Sequence, residues 1–164
     1  MVHETNDLEK KKADKEDAIK KWTIEKIEIA KQYIEREAIQ KARKMVHGAV
    51  YMCQLGENIG SEQNELRPVI VLSNNRMNAS SGNVTVAPLS KKVRTKIVNG
   101  KEVPRYSSHF ILKKEKYHFL DYDSTVKTED IITVSKIRLK EHLGNIEPEN
   151  LKRIKNRIKW VFEI

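Results

Sequence analysis

The chain has 164 residues, 38% apolar and 34% charged, with a formal net charge of +9 and an isoelectric point of about 9.5. Such a balance favours a polyanionic partner, with nucleic acid or a membrane surface first in line. A single cysteine rules out an internal disulfide, and no 18-residue apolar stretch or early apolar run suggests a spanning helix or signal peptide, so a soluble protein of a reducing cytoplasm is expected.

Residues 1–44 contain no Gly and no Pro and carry 12 basic and 10 acidic residues. They read as one long helix from about Asp7 to Lys44. Ala18, Trp22, Ile29 and Tyr33 fall near one stripe, and Ile24, Ile27, Ile34, Ala38 and Met45 near another. Glu37 and Lys41 are an opposite-charge pair four apart, worth a few tenths of a kcal/mol. A self-standing coiled coil stays open, but the heptads are not clean. The C-terminal half of the helix is expected to pack on something and the first dozen residues to fray. The period then changes, which divides the chain into a helical extension over 1–45 and a second region over 46–164. That second region holds most of the positive excess.

Ala49 to Leu55 is a strand candidate opened by Gly48. Pro68 to Ser73 is the next, with proline at its first residue, where a missing donor is tolerated. Asn83 to Leu89 is a third. Ile97 to Val103 has an Asn99-Gly100 turn between short arms, a strong hairpin signal. His109–Leu112, Asp123–Thr128 and Ile131–Val134 follow as short strands. A helix opens at Pro148, with Leu151, Ile154, Ile158 and Val161 as its inner stripe. Short strands punctuated by turns indicate an α+β fold: a small, strongly curved, mostly antiparallel sheet or barrel closed by a helix.

No metal-ligand spacing is visible among His3, His47, His109, His118 and His142, and no Gly-rich phosphate loop appears. His109 and His118 are the only histidine pair near enough in sequence for acid–base chemistry on RNA. Cys53 reads as a small core residue. The loop from Gly56 to Arg67 is more informative. It brings a carboxylate, Glu62, and a guanidinium, Arg67, to the mouth of an apolar strand, and a guanidinium holds phosphate by two parallel hydrogen bonds.

The order of residues here resembles the MazF/PemK family of toxin endoribonucleases. Gly48-Ala49-Val50-Tyr51 matches the family's first strand, Gly60-Ser61-Glu62-Gln63 its G-S-E-Q loop, and Arg67-Pro68-Val69-Ile70-Val71 the strand that follows. The third strand ends in Ser90, where family members often have Thr. Asp123-Ser124, Glu129, Ile131, Thr133, Lys136 and Arg138-Leu139 look like the family's closing strands and short helix. The similarity covers roughly residues 46–162. Residues 1–44 are an addition without a family counterpart, and the stretch from Lys91 to Ser107 looks longer than usual.

The resemblance implies a small SH3-like barrel of the type shared by MazF, PemK and CcdB. It implies cleavage of single-stranded RNA at short sequences without metal or other cofactor. The ribose 2′-hydroxyl attacks the adjacent phosphorus and leaves a cyclic phosphate and a 5′-hydroxyl. Arg67 would stabilise the charge gathering on the phosphoryl oxygens. Ser90 would donate to the phosphate, and Glu62 would take the 2′-hydroxyl proton or orient Arg67. Gln63, Asn64, Lys91, Lys92, Arg94 and Lys96 are candidate RNA contacts, and Lys113, Lys114 and Lys116 could extend the track. Family members are usually homodimers silenced by a small acidic antitoxin, a partner that suits the basic charge. Two alternatives stay open. Toxins of the same fold poison DNA gyrase without cutting, although the ending Trp160-Val161-Phe162-Glu163-Ile164 departs from their Trp-Gly-Ile type signature. A nucleic-acid-binding regulator without turnover is the other.

Overall fold

The computed structural model describes residues 2–164, with side chains from Asn6 onward. His3 therefore lies outside the residues whose side chains are described. Helix α1 runs over Val2–Glu35, and a second piece, α2, spans Glu37–Ala42. The single helix expected over 7–44 is thus broken at Arg36, whose φ of −123° and ψ of 22° leave helical space. The break turns the chain so that Gln40, Arg43 and Met45 reach the sheet. Met45 is a core residue, and the Arg43 guanidinium donates to the carbonyls of Lys136 (2.7 Å) and Leu139 (3.1 Å).

Nine strands follow: β1 (Ala49–Gln54), β2 (Leu66–Val71), β3 (Asn83–Ser90), β4 (Thr95–Val98), β5 (Lys101–Pro104), β6 (His109–Leu112), β7 (Ser124–Lys127), β8 (Ile132–Ser135) and β9 (Leu139–Asn145). Seven form one antiparallel sheet in the order β6-β7-β3-β2-β1-β9, with β8 also paired to β3, while β4 and β5 form a separate hairpin. Asn99 (φ 48°) and Gly100 (φ 73°) make its turn, the left-handed pair that an Asn-Gly hairpin uses. A short helix α3 (Asn75–Ser80) is capped by the Asn74 side chain, which accepts from Met77 N at 2.9 Å. Helix α4 (Pro148–Phe162) closes the molecule.

Apolar residues alternate between the two faces of the strands. Val50, Ile70, Ala87, Leu89 and Phe110 form one core with Leu151 and Ile154 of α4. Tyr51, Cys53, Val69, Val71, Val86 and Leu139 form the other, with Met45. Cys53 is buried, and burial pushes its thiol up to about 11. Among the described residues no helix is long and apolar enough to cross a membrane.

The stripe Ala18, Trp22, Ile29 and Tyr33 is half-buried against the sheet domain, whereas Ile24, Ile27 and Ile34 of the second stripe are exposed. Strand β2 starts two residues before the expected Pro68, so the proline lies inside a central strand, opposite Met52 of β1. On its other side the ladder to β3 begins only at Val69, paired with Pro88. A residue without an N–H is tolerated where one edge is unpaired. Beyond Pro88, β3 leaves β2 and pairs with β7, Leu89 with Val126 and Ser90 with Thr125. The parting of β2 and β3 opens a cavity at that end of the sheet.

Candidate functional site

The cavity has a volume of about 1200 Å³ and opens between the β1–β2 loop, the end of β3 and the start of β6. Arg67 and Ser90 both line it. Arg67 stands two residues before the point where the β2–β3 ladder begins, and Ser90 two residues after the Pro88 that pairs there. They are 23 positions apart in the chain. Glu62, Gln63, Lys91, Lys92 and Arg94 line the same cavity; Asn64 and Lys96 do not.

Arg67 is half-buried, and two loop groups hold its guanidinium. Nε donates to the Asn64 carbonyl at 2.6 Å, and Nη1 donates to Gln63 Oε1. Burial pulls its pKa below the ordinary value, while Glu65 and Asp130 pull it back up. Arginine remains charged in any case. Gln63 passes the interaction on: its Nε2 donates to Asp130 Oδ2 at 2.8 Å, and Lys127 Nζ reaches the same oxygen at 3.0 Å. One face of the guanidinium fork is thus fixed by protein acceptors, leaving the remaining N–H groups for an anion.

Ser90 is buried, and its Oγ accepts from Lys92 N at 3.2 Å. With that lone pair occupied, the hydroxyl hydrogen is the group left to point at a ligand. Thr125, opposite Ser90 on β7, donates to the Lys92 carbonyl at 3.1 Å, so the turn after Ser90 is held from both sides. Glu62 makes its side-chain hydrogen bond with Ile59 N, at 3.0 Å, and among the described residues Arg67 has no hydrogen bond to Glu62. Gln63, not Glu62, is the side chain that orients Arg67. The Asn64 side chain is spent within the loop, accepting from Asn58 N (2.8 Å) and donating to Glu57 (3.2 Å). Lys96 stands on β4, away from the cavity.

The cavity also holds a pairing that sequence reading did not assign. His109 Nε2 and Glu129 Oε1 lie 2.6 Å apart. His118 is exposed and outside the cavity, so the pair of histidines read from the sequence is not assembled. Burial pushes the Glu129 carboxyl up, but hydrogen bonds from its own backbone, His109 and Ser108 outweigh this and leave it below its ordinary value. Tyr106 and Tyr122 expose aromatic rings at the mouth. Arg94 Nη1 touches the Tyr106 hydroxyl at 3.3 Å. Among the described residues no three His, Cys, Asp or Glu side chains cluster at metal-binding distance.

Residues 47–162 match the family described as PemK-like, MazF-like toxin of type II toxin-antitoxin system. The chain belongs to that family. It is 35% identical over 114 residues, 70% of this chain and 88% of the relative, to the endoribonuclease MazF of Staphylococcus saprophyticus subsp. saprophyticus. Solved structures share the fold of this PemK/MazF-family chain. MazF from Deinococcus radiodurans superposes with a TM-score of 0.58 at 17% identity, covering 74% of this chain and 99% of that one. An endoribonuclease in complex with its cognate antitoxin, from Mycobacterial species, gives 0.55 at 18% identity, covering 74% and 96%.

Proposed function

We propose that this chain is an endoribonuclease toxin that cuts single-stranded RNA at a phosphate bound by Arg67 and Ser90. The observation that carries the reading is that this guanidinium and this hydroxyl line one cavity, with Lys91, Lys92 and Arg94 beside them. In the reaction the 2′-oxygen bonds to phosphorus and the P–O5′ bond breaks. The 2′-hydroxyl proton passes to a base, with Glu62 the candidate, and the leaving 5′-oxygen takes a proton from water. Arg67 and Ser90 donate to the non-bridging oxygens, where charge builds most in the transition state. Lys91, Lys92 and Arg94 neutralise flanking phosphates, and Tyr106 and Tyr122 offer faces on which unstacked bases rest. No metal ion takes part in this scheme. Residues 1–45 are read as an extension of a toxin domain over 46–164. The protein acts as a cytoplasmic homodimer restrained by an acidic antitoxin; an antitoxin partner is supported by the complex of an endoribonuclease of the same fold with its cognate antitoxin.

Incubating the protein with a long single-stranded RNA and a chelator tests the reading. Discrete fragments with 5′-hydroxyl and cyclic-phosphate ends are expected. Arg67→Ala and Ser90→Ala should each slow cleavage at least ~100-fold, the scale for losing one transition-state donor, while both keep the wild-type melting temperature within a few degrees. Wild-type rates in the Arg67→Ala protein would remove that residue from the mechanism.

A further inference from the structure

Helix α1 lies outside the family match, yet it grips the loop that presents Arg67. Three of its side chains touch the segment over 54–65. Lys15 Nζ donates to Glu57 Oε1 and to the Asn58 carbonyl. The Trp22 ring lies on Gly56, where φ is +84° and a Cβ would overlap the indole. Glu25 accepts from Gln54 Nε2 at 2.9 Å. Arg138 joins the same cluster, its guanidinium 5.6 Å from the Trp22 ring centroid and donating to the carbonyls of Gln54 (2.8 Å) and Leu55 (2.6 Å).

These contacts connect to the site by short steps. Glu57, held by Lys15, accepts from Asn64 Nδ2 at 3.2 Å, and the Asn64 carbonyl is the acceptor for Arg67 Nε. Asn58, held by Lys15 through its carbonyl, donates from Nδ2 to the Gln63 carbonyl at 2.8 Å, and Gln63 holds Arg67 Nη1. Both acceptors of the guanidinium therefore sit on a loop whose far side is pinned to α1. Among the described residues no α1 side chain lines the cavity, and the helix meets the site through this loop.

We propose that α1 is an intramolecular splint for the β1–β2 loop, with Lys15 and Trp22 as positioning residues that set the aim of Arg67. The proposal rests on the RNA-cleaving reading above. A helix that fixes a transition-state donor raises the rate without touching substrate, because a misplacement of about 1 Å can cost ~100-fold. Without the splint, residues 57–64 are held by their own hydrogen bonds, the two strand ends and the Gln63–Asp130 bond.

Trp22→Ala and Lys15→Met, each in the full chain and again with Arg67→Ala, test it by single-turnover cleavage of an RNA oligonucleotide. Each single variant should lose about 10- to 100-fold in kcat with KM within about twofold, the signature of an interaction used in the transition state. Neither should slow the Arg67→Ala protein further, since the guanidinium through which they act is gone. The Arg67 Nε–H resonance in a ¹⁵N spectrum should move or broaden in both variants while the backbone spectrum stays folded. Unchanged kcat, or an equal loss in the Arg67→Ala background, overturns the splint. If Trp22→Ala does not fold, the half-exposed Lys15→Met decides alone. If the wild-type protein cuts no RNA, the proposed function fails by itself. The Arg67 resonance then decides the splint, an unmoved signal in Lys15→Met counting against it.

Discussion

Arg67 shows how a guanidinium becomes a site rather than a surface charge. Half-burial removes water from one side, and Gln63 and the Asn64 carbonyl replace it with fixed acceptors. Gln63 is itself fixed by Asp130, 67 positions away in the chain. The resemblance to the family made Arg67 and Ser90 legible as a pair, the one following the Gly-Ser-Glu-Gln loop and the other closing the third strand. The Gln63–Asp130 link and the His109–Glu129 pair were not legible, since β6 and the turn over 128–130 meet the loop only after the sheet closes. Glu129 allows a pH test with a definite sign. Its folded pKa is below its ordinary value of 4.5. Ionised Glu129 therefore stabilises the fold fully above that value, and the contribution fades as pH falls through the folded pKa. The melting-temperature gap between wild type and Glu129→Gln should be constant near neutral pH and should close in acid below about pH 4.5. A gap that widened in acid would mean that the hydrogen bonds do not favour the carboxylate.

At the scale of elements, the strands that sequence reading found are those rich in β-branched residues and bounded by Gly, Pro or Asn. β9 was not found as a strand. Its Leu-Lys-Glu-His-Leu-Gly-Asn run has no β-branched residue, and pairing with β1 imposes the extended form on it. α3 is one polar turn and a half, with no apolar period to read. The break at Arg36 was also hidden, because the charged pattern continues through it and the bend answers to Lys136 and Leu139, about 100 positions later. The end of β3 divides the basic cluster in a way composition did not reveal. Lys91, Lys92 and Arg94 stay at the cavity, and β4 carries Lys96 off. Changing Lys91, Lys92 and Arg94 together to Gln should weaken RNA binding and flatten the plot of log K against log salt by about 0.7 for each phosphate no longer neutralised. Lys96→Gln should leave that slope as it is. Binding isotherms over a salt series measure both, and an unchanged slope in the triple variant would exclude these three side chains from the RNA track.

For the whole molecule, the family match begins at residue 47, but the fold does not. Lys136 is fully buried, and its ammonium donates to the Lys41 carbonyl at the end of α2, at 2.8 Å. Burial, with Arg43 nearby, pulls its pKa below the ordinary value. Arg43 in turn satisfies the carbonyls of Lys136 and Leu139. Cutting the chain after Lys44 would break these three hydrogen bonds and open the ammonium and the two carbonyls to water. Three hydrogen bonds at about 1 kcal/mol each are a large share of the ~5–15 kcal/mol that holds a domain together. Cutting after Glu35 would keep α2, Arg43 and Met45 in place and remove only what α1 touches. The 36–164 fragment should therefore melt cooperatively within a few degrees of the full chain, and the 45–164 fragment roughly 10 °C lower or not as a folded species at all. The two fragments separate the two jobs of the N-terminal region: the shorter deletion removes the splint on Arg67, and the longer one also removes part of the core. Thermal melts of both, followed by circular dichroism, give the answer. Equal melting temperatures would mean that Lys136 finds another acceptor and that α2 is as dispensable to the fold as the boundary of the family match suggests.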